Sequence, residues 1–131
     1  MKKKILCLLA VVTVLNSSIF SVHAAGLQAY GGFYVKKTAD CVTSGQTKET
    51  TQKATNWVEY VENNNKLSCW IQKSGSKISS SKSYTDSGYQ YITYNDAASA
   101  KGSQVKLVVS TALTTLATTY TFGSWSPDYA Q

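Results

Sequence analysis

ATNWVEYVENNNKLSCWIQK, residues Ala54–Lys73, is the stretch whose reading decides the fold class. In its second half Leu67, Cys69 and Ile71 share one face and Ser68, Trp70 and Gln72 the other, because successive strand side chains point to opposite sides. The first half, Ala54–Val61, is rich in aromatic and β-branched residues, which suit a pleated surface. Asn63-Asn64-Asn65 lies between them, and Asn tolerates left-handed backbone angles in turns. Two strands around such a turn predict a β-hairpin over Trp57–Gln72. The face carrying Leu67, Cys69 and Ile71 is its core side.

Working outward, the same alternation recurs in short runs separated by turn-forming clusters. Ala29–Lys36 reads as a first strand, with a bulge at Gly31-Gly32. Thr38–Lys53 reads as a long polar loop or weak edge strand, and Ser74–Ser83 as an exposed loop. Gly88–Tyr94, Gln104–Thr111 and Leu116–Trp125 complete the strands. Val105, Leu107 and Val109 share one face. Asn95–Ser103 is a connector, and Ala112–Thr115 turns the chain. Six to seven short antiparallel strands in a single domain predict an all-β sandwich, since two facing sheets bury both apolar faces.

The N-terminus predicts export. Lys2, Lys3 and Lys4 precede an apolar run, Ile5–Leu15, then polar Asn16-Ser17-Ser18 and Val22-His23-Ala24. That is the three-part pattern of a cleavable secretory signal over residues 1–24, with cleavage after Ala24. The run is shorter than the roughly 20 apolar residues a membrane span needs. A secreted, extracellular domain of residues 25–131 without a transmembrane span is expected. Removing the signal takes three of the 13 lysines and the single histidine. Ten lysines then face seven acids, so the formal charge falls from +6 to +3. Clustered Lys and Arg mark nucleic-acid binders; this chain has no Arg and scattered Lys, so no nucleic-acid partner is expected.

Cys41 and Cys69 remain. An even count in an exported chain reads as a disulfide, with free thiols or a metal site as the alternatives. Two Cys without His make a poor zinc site. Without histidine there is no Ser-His or Cys-His base. Glu59 and Glu62 form the nearest carboxylate pair and read as solvated charges near a turn. Asp40, Asp86, Asp96 and Asp128 are dispersed. No catalytic residue, metal site or cofactor is expected, and the chain reads as a non-enzyme.

The aromatics are the remaining feature. Tyr84, Tyr89, Tyr91, Tyr94 and Trp70 suggest an exposed platform of large amphipathic contact area. In Gly88–Tyr94 both faces carry tyrosine. Ile92 is the better core residue, so Tyr94 goes inward or to the core rim. Tyr89 and Tyr91 then face out, and with Trp70 they form the candidate contact surface.

Lys66-Leu67-Ser68-Cys69-Trp70-Ile71, Ser87-Gly88-Tyr89-Gln90-Tyr91, Asn95-Asp96-Ala97 leading to Val105-Lys106-Leu107, and Tyr120-Thr121-Phe122-Gly123-Ser124-Trp125 resemble a family of small secreted proteins of uncharacterised function from Gram-positive bacteria. The resemblance spans Trp57–Trp125 and implies export and an all-β domain; the cysteine pair departs from it. A fainter similarity is to secreted β-sandwich bacteriocins. Tyr30-Gly31-Gly32-Phe33-Tyr34-Val35 is also similar to the Tyr-Gly-x-Gly-Val start of another bacteriocin group, although the cysteine spacing differs. The expected function is contact with a protein or cell-envelope partner; the alternative is a bacteriocin or other secreted antimicrobial protein.

Overall fold

The computed structural model describes residues 26–112 and 115–130. The expected signal, residues 1–24, lies outside the described residues. Among the described residues ten strands form two antiparallel sheets, the β-sandwich expected from the alternation. Six are long: β1 (Gln28–Val35), β4 (Ala54–Val61), β5 (Leu67–Lys73), β8 (Gly88–Ile92), β9 (Gln104–Thr111) and β10 (Thr119–Ser126). The others are two- or three-residue pieces: β2 (Cys41–Val42), β3 (Gln46–Thr47), β6 (Ser76–Lys77) and β7 (Lys82–Tyr84). Thr38–Lys53 thus supplies two edge fragments, and Ser74–Ser83 holds β6 and the start of β7. No helix among the described residues is long and apolar enough to cross a membrane.

One sheet has the order β1-β10-β4-β8; the other has β2-β9-β5-β6, with β3 also on β9 and β7 also on β5. No two consecutive long strands pair. The Trp57–Gln72 hairpin is therefore corrected: β4 pairs with β10 and β8, while β5 pairs with β9. The asparagines do turn the chain, with Asn63 and Asn64 at φ 54° and 52°. They carry it from one sheet to the other rather than back along its own edge.

The predicted faces meet in the core. Leu67, Cys69 and Ile71 oppose Thr111, Val109 and Leu107 on β9, and all but Thr111 are fully buried. Val35, Val58, Ile92 and Trp125 close the core from the other sheet. Gly31-Gly32 is a bulge, as expected. Between the Tyr30–Gly123 and Phe33–Thr121 pairs, Gly31 and Gly32 stand opposite Phe122 alone, and Gly32 takes φ 65°. The expected connector contains a one-turn helix, Ala97–Ala100. Asp96 caps it by accepting from the Ser99 N–H at 3.0 Å.

The expected disulfide is also corrected. Cys41 and Cys69 both lie opposite Val109, on either side of β9. Two strand spacings of about 4.8 Å hold their Cα atoms roughly 10 Å apart. A disulfide needs about 4.4–6.8 Å. Both are free thiols. Cys69 is buried and accepts from Asn56 Nδ2 at 3.5 Å.

The chain end is anchored beneath this frame. The Lys48 ammonium, fully buried, donates to Asp128 Oδ1 at 3.0 Å, Pro127 O at 3.0 Å and Gln52 O at 2.6 Å. It also lies 4.1 Å from the centroid of the Tyr94 ring, a favourable site for a desolvated cation.

Candidate functional site

In a sandwich the outer face of each strand ordinarily carries polar residues. The outer face of the β1-β10-β4-β8 sheet is instead mostly aromatic. Tyr34 on β1 opposes Tyr120 on β10, Phe122 opposes Tyr60 on β4, and Trp57 opposes Tyr89 on β8. Tyr91 follows Tyr89 on the same face, and Tyr129 lies beyond the end of β10. Register forces this arrangement. Val35, Thr119, Thr121, Val61 and Val58 are buried, so their neighbours of opposite parity must point outward.

The eight rings form two contact groups. Tyr120 lies 4.9 Å from Tyr34, 6.1 Å from Tyr60 and 6.0 Å from Phe122, centroid to centroid. Trp57, Tyr89, Tyr91 and Tyr129 make a continuous row with successive separations of 4.4, 6.0 and 5.3 Å, the first contact tilted by 34° and the other two stacked. Tyr89 and Tyr91 are nearly parallel, 4° apart. Tyr34 is 63% exposed, Tyr60 43%, Tyr129 42% and Tyr89 38%. Taking about 150–250 Å² per aromatic side chain, these four leave on the order of 300–450 Å² open.

The stacking decides what this surface offers. Strand side chains stand roughly perpendicular to the sheet. The rings that stack, Tyr60 on Phe122 and Tyr89 on Tyr91 on Tyr129, therefore turn edges and hydroxyl tips outward; the Tyr34, Tyr120 and Trp57 contacts are tilted. The edge of an aromatic ring is its electropositive part, and a phenol both donates and accepts hydrogen bonds. The four strands contain no lysine and a single acid, Glu59.

The expected contact surface is met in part. Tyr89 and Tyr91 lie outward, Ile92 is fully buried, and Tyr94 is 6% exposed, its hydroxyl donating to Pro127 O at 2.7 Å. Trp70 does not join them: it lies on the outer face of the other sheet, opposite Val108. Tyr84 is a core residue, and burial pushes its phenol well above the ordinary value. Tyr34, Trp57, Tyr60, Tyr120, Phe122 and Tyr129 were missed. Their signal was present in the Thr-Tyr-Thr-Phe alternation of β10, but which parity faces the core depends on partners distant in sequence. Glu62 is a structural residue whose Oε1 accepts the Tyr120 N–H at 3.2 Å. Neither a family model nor a curated protein nor a solved structure matches this chain.

Proposed function

We propose that this is a secreted, non-enzymatic binding protein whose working surface is the aromatic outer face of the β1-β10-β4-β8 sheet, and whose partner is a protein exposed on the cell envelope. The observation that carries the reading is the run of eight aromatic side chains on a face where a sandwich normally places polar ones. Tyr and Trp give large contact areas at small conformational cost and concentrate at the centres of protein interfaces, where Lys and acids are depleted. The composition of these four strands follows that bias. The stacking favours a protein over a sugar. A sugar ring needs an open aromatic face, and the faces of Tyr60, Phe122, Tyr89, Tyr91 and Tyr129 are shared with stacked neighbours. Edges and hydroxyl tips suit backbone carbonyls and side chains of a protein surface.

The test is binding of the labelled protein to three preparations: intact bacterial cells, the same cells after surface proteolysis, and purified peptidoglycan. Binding to intact cells should vanish after proteolysis. It should also weaken at least about tenfold in Tyr34→Ser/Tyr60→Ser and in Tyr89→Ser/Tyr91→Ser, the loss expected for hot-spot aromatics. Equal binding to shaved cells or to peptidoglycan, or full binding by both variants, would overturn the reading.

A further inference from the structure

The two sheets differ in chemistry. The β2, β3, β5, β6, β7 and β9 strands contain Lys73, Lys77, Lys82 and Lys106 and no acidic residue. Their aromatic residues are Trp70 and Tyr84, and Tyr84 is buried in the core. Trp70 stands alone on the outer face of this basic sheet, half-buried, with Val108 fully covered beside it.

Next to Trp70 runs a groove of about 430 Å³, lined by Lys66, Ser68, Trp70, Ser83, Ser110 and Thr111. Its size falls within the range of about 300–1,000 Å³ typical of small-ligand sites. Register builds its floor. Ser68 lies opposite Ser83 on β7 and opposite Ser110 on β9, so three hydroxyls form one row across three strands. Ser110 donates to Thr111 O at 3.3 Å. The Ser68 and Ser83 hydroxyls have no partner among the described residues. The Lys77 ammonium is 5.1 Å from the Trp70 ring centroid and also reaches Ser81 Oγ. Lys66 stands in the groove lining itself.

We infer that this groove binds an acidic saccharide, a sugar unit carrying a carboxylate or a phosphate. Each part of the groove meets one part of such a ligand. The indole, half-buried with the Lys77 ammonium over its ring, offers its remaining exposed surface to the apolar C–H groups of a sugar ring. The serine row can donate to and accept from sugar hydroxyls, since each group does both. Lys66 in the lining, and Lys77 beside it over the Trp70 ring, supply the charge-assisted bonds that an acidic substituent takes. A protein partner fits less well, because lysine is depleted at the centres of protein interfaces. The inference does not rest on the aromatic-face reading. The groove opens on the opposite side of the sandwich, so both surfaces can be occupied at once.

Titration calorimetry with the whole secreted domain tests it, using oligogalacturonate for the carboxylate, a phosphorylated oligosaccharide for the phosphate, and a neutral oligogalactose of equal length. One acidic probe should bind at least about tenfold more tightly than the neutral one, a difference near 1.4 kcal/mol. Binding should weaken with salt. Lys66→Gln/Lys77→Gln should lose about tenfold, and Lys36→Gln/Lys37→Gln, which removes the same charge elsewhere, should bind as the native protein does. Trp70→Ala should abolish binding; should it fail to fold, quenching of Trp70 fluorescence in the native protein, judged against Trp70→Phe, reports the contact. Equal loss in both lysine pairs, equal affinity for duplex DNA, or no binding of either acidic probe would overturn the inference.

Discussion

Lys48 and Asp128, eighty positions apart, form an ion pair at 3.0 Å with both side chains out of contact with solvent. The pair joins the segment between the two sheets to the segment that follows the last strand. The partners are not equivalent. Asp128 also accepts from the Glu49 N–H at 2.9 Å, the Thr50 N–H at 3.0 Å and Thr50 Oγ1 at 2.6 Å. Without Lys48 the carboxylate keeps three donors. Without Asp128 the buried ammonium keeps only the Gln52 and Pro127 carbonyls and the Tyr94 ring.

That asymmetry gives a ranking. Asp128→Ala should cost about 3–5 kcal/mol, the usual result of leaving a buried charge uncompensated. Lys48→Met should cost less, about 1–3 kcal/mol, because it chiefly removes hydrogen bonds. Urea unfolding of both variants checks this, and a Lys48→Met cost equal to or above that of Asp128→Ala would overturn it. The pH dependence has a definite sign. Burial pushes the Asp128 carboxyl up, but the Thr50, Glu49 and Lys48 hydrogen bonds outweigh it and hold it below the ordinary value. A depressed carboxyl stabilises the fold above its unfolded pKa, about 3.9. That contribution is lost as pH falls through the folded value.

Cys69 predicts the behaviour at the other end of the pH scale. Burial pushes its thiol up to about 12, against the opposing Asn56 hydrogen bond. The unfolded thiol titrates near 8.5. Between the two values the folded state holds a proton that the unfolded state has released, so stability falls as pH rises. The slope is about 1.4 kcal/mol per pH unit. Unfolding free energy measured from pH 8 to 10 should decline, and Cys69→Ala should flatten the decline. An identical slope in Cys69→Ala would show that another group is responsible.

The thiols also differ in reach. Cys41 is partly exposed and Cys69 fully buried. Iodoacetamide should label Cys41 in the native protein and Cys69 only after denaturation, with no reductant needed for either. A native mass two hydrogens low, returning to full value on reduction, would restore the disulfide that β9 now separates.

What was legible in the sequence was local, and what was not depended on distant pairing. The alternation in Lys66–Lys73 and Gln104–Thr111 named the core faces correctly, because a period of two is a property of the strand alone. Ala54–Val61 and Gln104–Thr111 were bounded to the residue. The hairpin failed because Asn63-Asn64-Asn65 encodes a reversal without specifying whether the next strand pairs or crosses to the facing sheet. The disulfide failed for the same reason: nothing near Cys41 or Cys69 reveals the strand that runs between them. Tyr89 and Tyr91 were readable because Ile92 settles the parity of β8. In β10, Thr-Tyr-Thr-Phe alternates equally well either way. Thr121 faces inward through its register with Val61 and spends its hydroxyl on Tyr60 O at 2.7 Å, which leaves Phe122 outside. Gly123 helps hold that register, since a Cβ there would lie 2.2 Å from Trp57 O.

The parity of β8 gives the last prediction. Tyr89 and Tyr91 stack with Trp57 and Tyr129 on the outer face, whereas Ile92 is fully buried against the core. An aromatic contact contributes about 0.5–1.5 kcal/mol beyond its area, so Tyr89→Ser/Tyr91→Ser should lose a modest amount, on the order of 1–3 kcal/mol. The single truncation Ile92→Ala empties a core position and should cost about 2–5 kcal/mol. Two large side chains removed from the outer face should therefore cost no more than one removed from the core. Urea unfolding of the two variants beside the native protein decides it. The same Tyr89→Ser/Tyr91→Ser protein, still folded, should lose cell binding, while Ile92→Ala should keep it under conditions where it remains folded. If the tyrosine pair costs well above the Ile92 truncation, the stacked row is a load on the fold, and its place as the contact surface falls with it.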